Sequence, residues 1–172
     1  MKIVALDVAT RIGIAAGETG GKPTAWSEDL GKGLDDDQRF ANALRLTDRL
    51  MREHAPELVA VEAPIGGRDT SHYLVGLAAI VRSCAAVRGA SVVSYHSGSV
   101  RKHFLGKALT ARDFPSLSKA AAKKAIKAEV QKRCRVLGWG ELDGDAADAA
   151  ALFDYASALA GARVSPSGEL FT

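Results

Sequence analysis

The chain has 172 residues, 47% of them apolar and 25% charged, and a formal net charge of +3. That length forms one domain with a core large enough to need no staples, and the composition is that of an ordinary soluble protein and argues against a disordered chain. Two cysteines, Cys84 and Cys134, sit in apolar helical contexts without any CxxC or Cys/His cluster, so they read as reduced thiols and offer no zinc site.

The opening "MKIVALDVAT" is apolar for too few residues to be a signal-peptide core. No run of about 18 apolar residues exists to cross a membrane, and a cytoplasmic protein is expected. "KIVALDVA" reads as a buried strand, "IGIAAGE" as its return, and "KPTAWSEDLG" as a third strand, giving an antiparallel meander. "DDDQRFANALRLTDRLMREH" is a helix with acids in its first turn and Phe40, Ala43, Leu44, Leu50 and Met51 at helical spacing. "ELVAVEAP" is the next strand, ended by Pro64. "HYLVGLAAIVRSCAAVRG" is a helix stopped by Gly89, and "ASVVSYH" a strand. A basic turn flanked by His96 and His103 follows, then one long loop, "GKALTARDFPSLS" (106–118), which either contacts substrate or merely connects. "SKAAAKKAIKAEVQKRCRVLG" is a basic helix, and "DAADAAALFDYASALAG" the last one. The expectation is an α/β fold in one domain over residues 1–161, with a loose tail at 162–172.

The last helix carries acids where its apolar stripe begins. Asp145 and Asp148 project about 60° apart, with Leu152 between them, whereas Asp154 falls on the opposite face. Asp143 reads as a cap. Capping of the helix dipole explains Asp145 comfortably and Asp148 less well. Two further acids stand in apolar strands: Asp7 at the end of the first, Glu62 at the end of "LVAVE". Functional groups in sheets of this kind gather at the carboxyl ends of strands. If the two strands are neighbours, four carboxylates converge, and their repulsion calls for cations between them. Hard oxygen ligands at that density suit Mg²⁺ or Mn²⁺, and two such ions clamp the attacking and leaving oxygens of a phosphodiester.

"LDVATRIGIA", then "VEAP", then "DAADAAAL" together resemble the RuvC family of Holliday junction resolvases, closest to short phage and prophage members. The ordered set runs from Asp7 to about Leu152. The resemblance implies an RNase H-like fold with a five-stranded mixed sheet whose first three strands are antiparallel. It implies metal ligands at Asp7, Glu62, Asp145 and Asp148, two Mg²⁺ ions per site, and a homodimer nicking opposed strands of a four-way junction. It also implies a basic catalytic residue at Lys123, three positions before Ile126; the plainer reading of that lysine is a solvated side chain at the core edge. The family's aromatic three residues after the strand-ending glutamate is Ile65 here, with Tyr73 or His72 as candidate stand-ins.

Between Arg101 and Arg135 eleven basic residues face two acids. A charge run is usually a solvated face; beside a phosphodiester site it suits DNA phosphates, with Arg101, Lys102, Lys107, Lys119, Lys124 and Lys127 as the expected contacts. No histidine is assigned a catalytic role, and Trp26 and Trp139 read as core or rim packing. The sequence thus points to a Mg²⁺-dependent endonuclease of Holliday junction resolvase type. The alternatives are a nuclease for flaps, forks or RNA–DNA hybrids, a non-catalytic DNA-binding relative, and an actin-like nucleotide binder, for which the chain is short.

Overall fold

A computed structural model describes residues 1–64 and 71–164. Five strands, β1 (Lys2–Asp7), β2 (Arg11–Glu18), β3 (Thr24–Asp29), β4 (Leu58–Glu62) and β5 (Ser91–Tyr95), form one sheet in the order β3-β2-β1-β4-β5. The β1–β2 and β2–β3 pairs are antiparallel; β1–β4 and β4–β5 are parallel. This is the mixed sheet with an antiparallel start that the meander predicts.

Period-two alternation divides the sheet into two faces. Val4, Leu6, Ile12, Ile14, Val59 and Val61 pack with α1 (Asp36–His54) and α2 (His72–Val87), the two crossover helices of the parallel strands. Ile3, Ala5, Ala15, Leu58 and Ala60 pack instead with α3 (Ser97–Leu105), α4 (Lys119–Val136) and α5 (Gly144–Val164). The helix starts are encoded locally. Asp35 caps α1 in a capping box with Gln38, and Ser118 caps α4.

The structure departs from the sequence reading in four places. The stretch after β5 is not a turn but helix α3, with His96 at its N-cap making no side-chain cap bond, so no capping signal announced it. A single 3-10 turn, Ala111–Asp113, interrupts the loop that follows. Leu44 is 48% exposed; the buried stripe of α1 is Ala43, Leu46, Thr47, Leu50 and Met51. Helix α5 also continues three residues past Gly161. Cys84 and Cys134 are buried free thiols. Trp139 packs on Phe104 at a ring distance of 5.6 Å, and Trp26 donates its indole N–H to Glu28. Asp154, on the outer side of α5, pairs with His103 at 2.9 Å. Among the described residues, no helix is long and apolar enough to cross a membrane.

Candidate active site

Strand register assembles the site. Asp7 is opposite Gly13, and Gly13 opposite Ser27, while Leu6 pairs with Val61 and Glu62 with Tyr95. A single row therefore crosses the sheet at one level: Ser27, Gly13, Asp7, Glu62, Tyr95. Alternation fixes the face. Ile3 and Ala5 point toward α5, so Asp7 does too; Leu58 and Ala60 do, so Glu62 follows. Both carboxylates emerge at the carboxyl ends of adjacent parallel strands.

Helix α5 lies across this row because small residues line both sides. Gly13 and Ala15 on β2, Ala5 on β1 and Ala60 on β4 meet Ala147, Ala149, Ala150 and Ala151. At Gly13 the approach is so close that an added Cβ would fall 2.0 Å from the carbonyl oxygen of Asp145. This contact seats the first turn of α5 beside Asp7, and with it Asp145 and Asp148. Asp148 is 9% exposed. The alanine-rich sequence is thus both a helix former and the reason for the close approach.

Asp7, Glu62, Asp145 and Asp148 line one pocket of about 380 Å³, together with Arg101, Lys123, Lys127, Ser97 and an apolar wall of Val8, Leu74, Ala78 and Ile126. The four acids singled out in the sequence are therefore brought together, and Lys123 stands at the rim, exposed. Lys127, expected on the DNA surface, enters the cluster instead: its Nζ lies 2.5 Å from Asp145 Oδ1 and 3.3 Å from Asp148 Oδ2. Arg101 also faces the acids, where its charge acts on both Glu62 and Asp148. Lys102, Lys107, Lys119 and Lys124 are exposed outside the pocket. Tyr73, the candidate aromatic stand-in, stacks on Phe40 at 5.6 Å and accepts a hydrogen bond from Thr10. Ile65 lies outside the described residues.

The electrostatics are those of an acid cluster short of positive charge. Burial, then Glu62 and Asp148, pushes the Asp7 carboxyl up to about 8. Burial likewise raises Glu62, against the pull of Arg101 and a Ser97 hydrogen bond, and raises Asp148 against Lys127 and Arg101. Burial opposes the Lys127 charge, but its hydrogen bond to Asp145 and the fields of Asp148, Asp145 and Asp7 hold its ammonium above the ordinary lysine range. As the side chains are arranged, no group of three or more His, Cys, Asp or Glu among the described residues is gathered tightly enough to hold an ion. The donor set nonetheless fits a hard divalent cation. Four carboxylates ring one pocket, and the charge they lack is supplied in part by Lys127.

A stability test follows from Asp7. Its folded carboxyl, near 8, holds a proton that the unfolded chain releases near 3.8. The contribution is fully present below the lower value and disappears as pH rises through the upper one. In chelator, the melting temperature should fall by roughly 5–10 °C between about pH 6 and pH 8.5. Differential scanning calorimetry of the wild type and Asp7→Asn checks this; an unchanged slope in Asp7→Asn would assign the effect elsewhere.

No family profile matches the sequence, and no curated protein matches it. Among the solved structures that share its fold are three resolvase structures. Thermus thermophilus RuvC aligns with a TM-score of 0.66 at 18% identity, covering 94% of this chain and 97% of that one. T. thermophilus RuvC in complex with Holliday junction substrate aligns at 0.63 and 17%, covering 94% and 96%. The yeast mitochondrial Holliday junction resolvase Ydc2 aligns at 0.55 and 9%, covering 88% and 75%. At these identities the likeness is one of fold.

Proposed function

We propose that this chain, whose fold is that of the RuvC resolvases, is a metal-dependent endonuclease that nicks four-way DNA junctions. The observation that carries the proposal is the convergence of Asp7 and Glu62, at adjacent strand ends, with Asp145 and Asp148 on the helix laid across them. Such a cluster, half enclosed and rimmed by Arg101, Lys123 and Lys127, accepts a cation and then an anion, as phosphodiester chemistry requires.

In this reading Asp7, Glu62, Asp145 and Asp148 hold two divalent ions, Mg²⁺ with Mn²⁺ as substitute. When bound, those ions neutralise the scissile phosphate and activate water. The chain's own residues do the rest. Lys127 shares its charge with Asp145 and Asp148, and Arg101 with Glu62 and Asp148, which offsets part of the repulsion and desolvation that raise these acids. Lys123, exposed at the pocket rim, is placed to meet a phosphate oxygen beside the leaving group. The apolar wall of Val8, Leu74, Ala78 and Ile126 thins the water around the reacting groups and strengthens each of these interactions. Lys102, Lys107, Lys119 and Lys124 supply backbone contacts that position a duplex without reading its sequence.

Two cuts on opposed strands need two sites, and we assign the second to a second copy of the chain. The α1–α2 face supports this. It carries a groove of about 890 Å³ lined by Phe40, Leu44, Ile80 and Val87, of which Leu44 and Val87 are 48% and 86% exposed.

The test uses a synthetic four-way junction, a matched duplex, a flap and an RNA–DNA hybrid, with Mg²⁺, Mn²⁺ or chelator, and light scattering for the mass. Paired symmetric nicks confined to the junction, by a protein of twice the chain mass, are expected. Binding should weaken roughly 10³-fold between about 50 and 200 mM salt if six or more phosphates are contacted. Equal cutting of the flap or hybrid would keep the metal site and discard junction selectivity; tight junction binding without cleavage under either metal would discard the enzyme.

A further inference from the structure

The exposed side of the site holds a set of contacts that the four carboxylates do not explain. Asp143 precedes α5 and uses its two oxygens for different purposes. Oδ1 accepts from the backbone N–H of Asp145 at 3.1 Å and of Ala146 at 2.9 Å, an ordinary helix cap. Oδ2 faces the sheet. It accepts from Ser27 Oγ on β3 at 2.6 Å and from a terminal nitrogen of Arg11 on β2 at 2.9 Å. Arg11 Nε in turn donates to Ser27 Oγ at 2.9 Å, closing a three-membered ring of contacts. The same Nε stands 3.5 Å from Asp145 Oδ2.

The position of this ring matters more than its strength, since Arg11 is exposed and surface ion pairs contribute little to stability. Ser27 lies in the transverse row beside Gly13, and Gly13 is where the Asp145 carbonyl touches the sheet. The ring therefore pins the first turn of α5 at the level of Asp7. It also assigns the two oxygens of Asp145 to different cations: Oδ1 to Lys127 and Oδ2 toward Arg11. A carboxylate held on both sides is fixed in rotation as well as in place.

We propose that Arg11, Ser27 and Asp143 form a clip that positions Asp145 and Asp148 against Asp7, with Arg11 a positioning residue rather than a DNA contact. This rests on the metal-site reading above. The clip acts through the helix: opening it lets the first turn of α5 ride off Gly13, and the carboxylates lose their common focus while the remainder of the fold stays intact.

The variants are Arg11→Gln, Ser27→Ala and Asp143→Asn, the last keeping a cap acceptor while removing the charge that holds Arg11. Arg11→Lys is the conservative rescue, and Arg49→Gln the control, because Arg49–Glu28 is an exposed ion pair tying α1 to β3 on the opposite face. Mn²⁺ affinity by calorimetry, kcat and KM on a junction, and amide exchange in the first turn of α5 are read for each. We expect Arg11→Gln and Asp143→Asn each to weaken Mn²⁺ binding about tenfold and to lower kcat about tenfold at unchanged KM. The double variant should be no worse than either single one, Arg11→Lys should recover part of the loss, and Arg49→Gln should match wild type. First-turn amides should exchange about tenfold faster in Arg11→Gln. A raised KM with unchanged Mn²⁺ affinity and exchange would make Arg11 a DNA contact and overturn the clip, as would additive effects in the double variant. If wild type binds no Mn²⁺, the metal-site reading fails by itself. The exchange data still decide: faster first-turn exchange supports the clip as a device holding α5, and unchanged exchange overturns it.

Discussion

Replacing Asp148 by Asn should lower the rate of junction cleavage by a factor of about 10³ or more while leaving junction binding intact. The substitution keeps the shape of a side chain that is 9% exposed, so packing changes little. It removes one of the four negative charges on which a divalent ion depends, and it takes a partner from Lys127, whose Nζ is 3.3 Å away. On the proposed reading binding comes from the basic surface rather than from the acid cluster, and so it survives. Loss of a negative charge beside the phosphate should even tighten it slightly. Single-turnover cleavage and gel-shift titration on the same junction check both halves. Cleavage within tenfold of wild type would remove Asp148 from the metal set and leave it a buried structural acid paired with Lys127.

How much of this was visible in the sequence depends on which geometry each residue obeys. Asp7 and Glu62 were legible because alternation alone places a strand-ending acid on a face, and the two strands proved to be neighbours. Asp145 and Asp148 were legible because helical projection is reliable along one stripe. Lys127 was grouped with the DNA surface because a run of basic residues does not say which of its lysines reaches inward. Lys123 and Lys127 lie about 40° apart, but Lys127 is about 6 Å further along α4, which brings it level with the first turn of α5. Helix α3 was hidden because "SGSVRKHFL" carries no acid in its first turn and no capping side chain, so Arg101 was credited to a turn when a helix aims it at Glu62. The clip was out of reach of any local pattern. Arg11 and Asp143 are 132 residues apart, and only the strand register and the seat of α5 bring them together.

The seat itself gives the second large effect. Gly13→Ala should destabilise the protein by roughly 2–4 kcal/mol and abolish junction cleavage, because the new methyl would meet backbone and not a yielding side chain. Its Cβ would lie 2.0 Å from the carbonyl oxygen of Asp145, 2.5 Å from that carbonyl carbon and 3.2 Å from Ala149 Cβ. No rotamer change relieves an overlap with a helix backbone; α5 must lift at its N-terminal end, the end that carries Asp145 and Asp148. Gly17, two positions further along the same face of β2, is the matched comparison. Its added Cβ would come to 3.1 Å from Phe153 Cζ and 3.3 Å from Pro23 Cα, contacts relieved if each neighbour gives by about a few tenths of an ångström. Gly17→Ala should therefore cost far less and keep its activity. Thermal unfolding and Mn²⁺ calorimetry on the pair separate the two effects. A Gly13→Ala protein that melts and cleaves like wild type would mean that α5 does not rest on β2 at this point, and the arrangement of all four carboxylates would have to be drawn again.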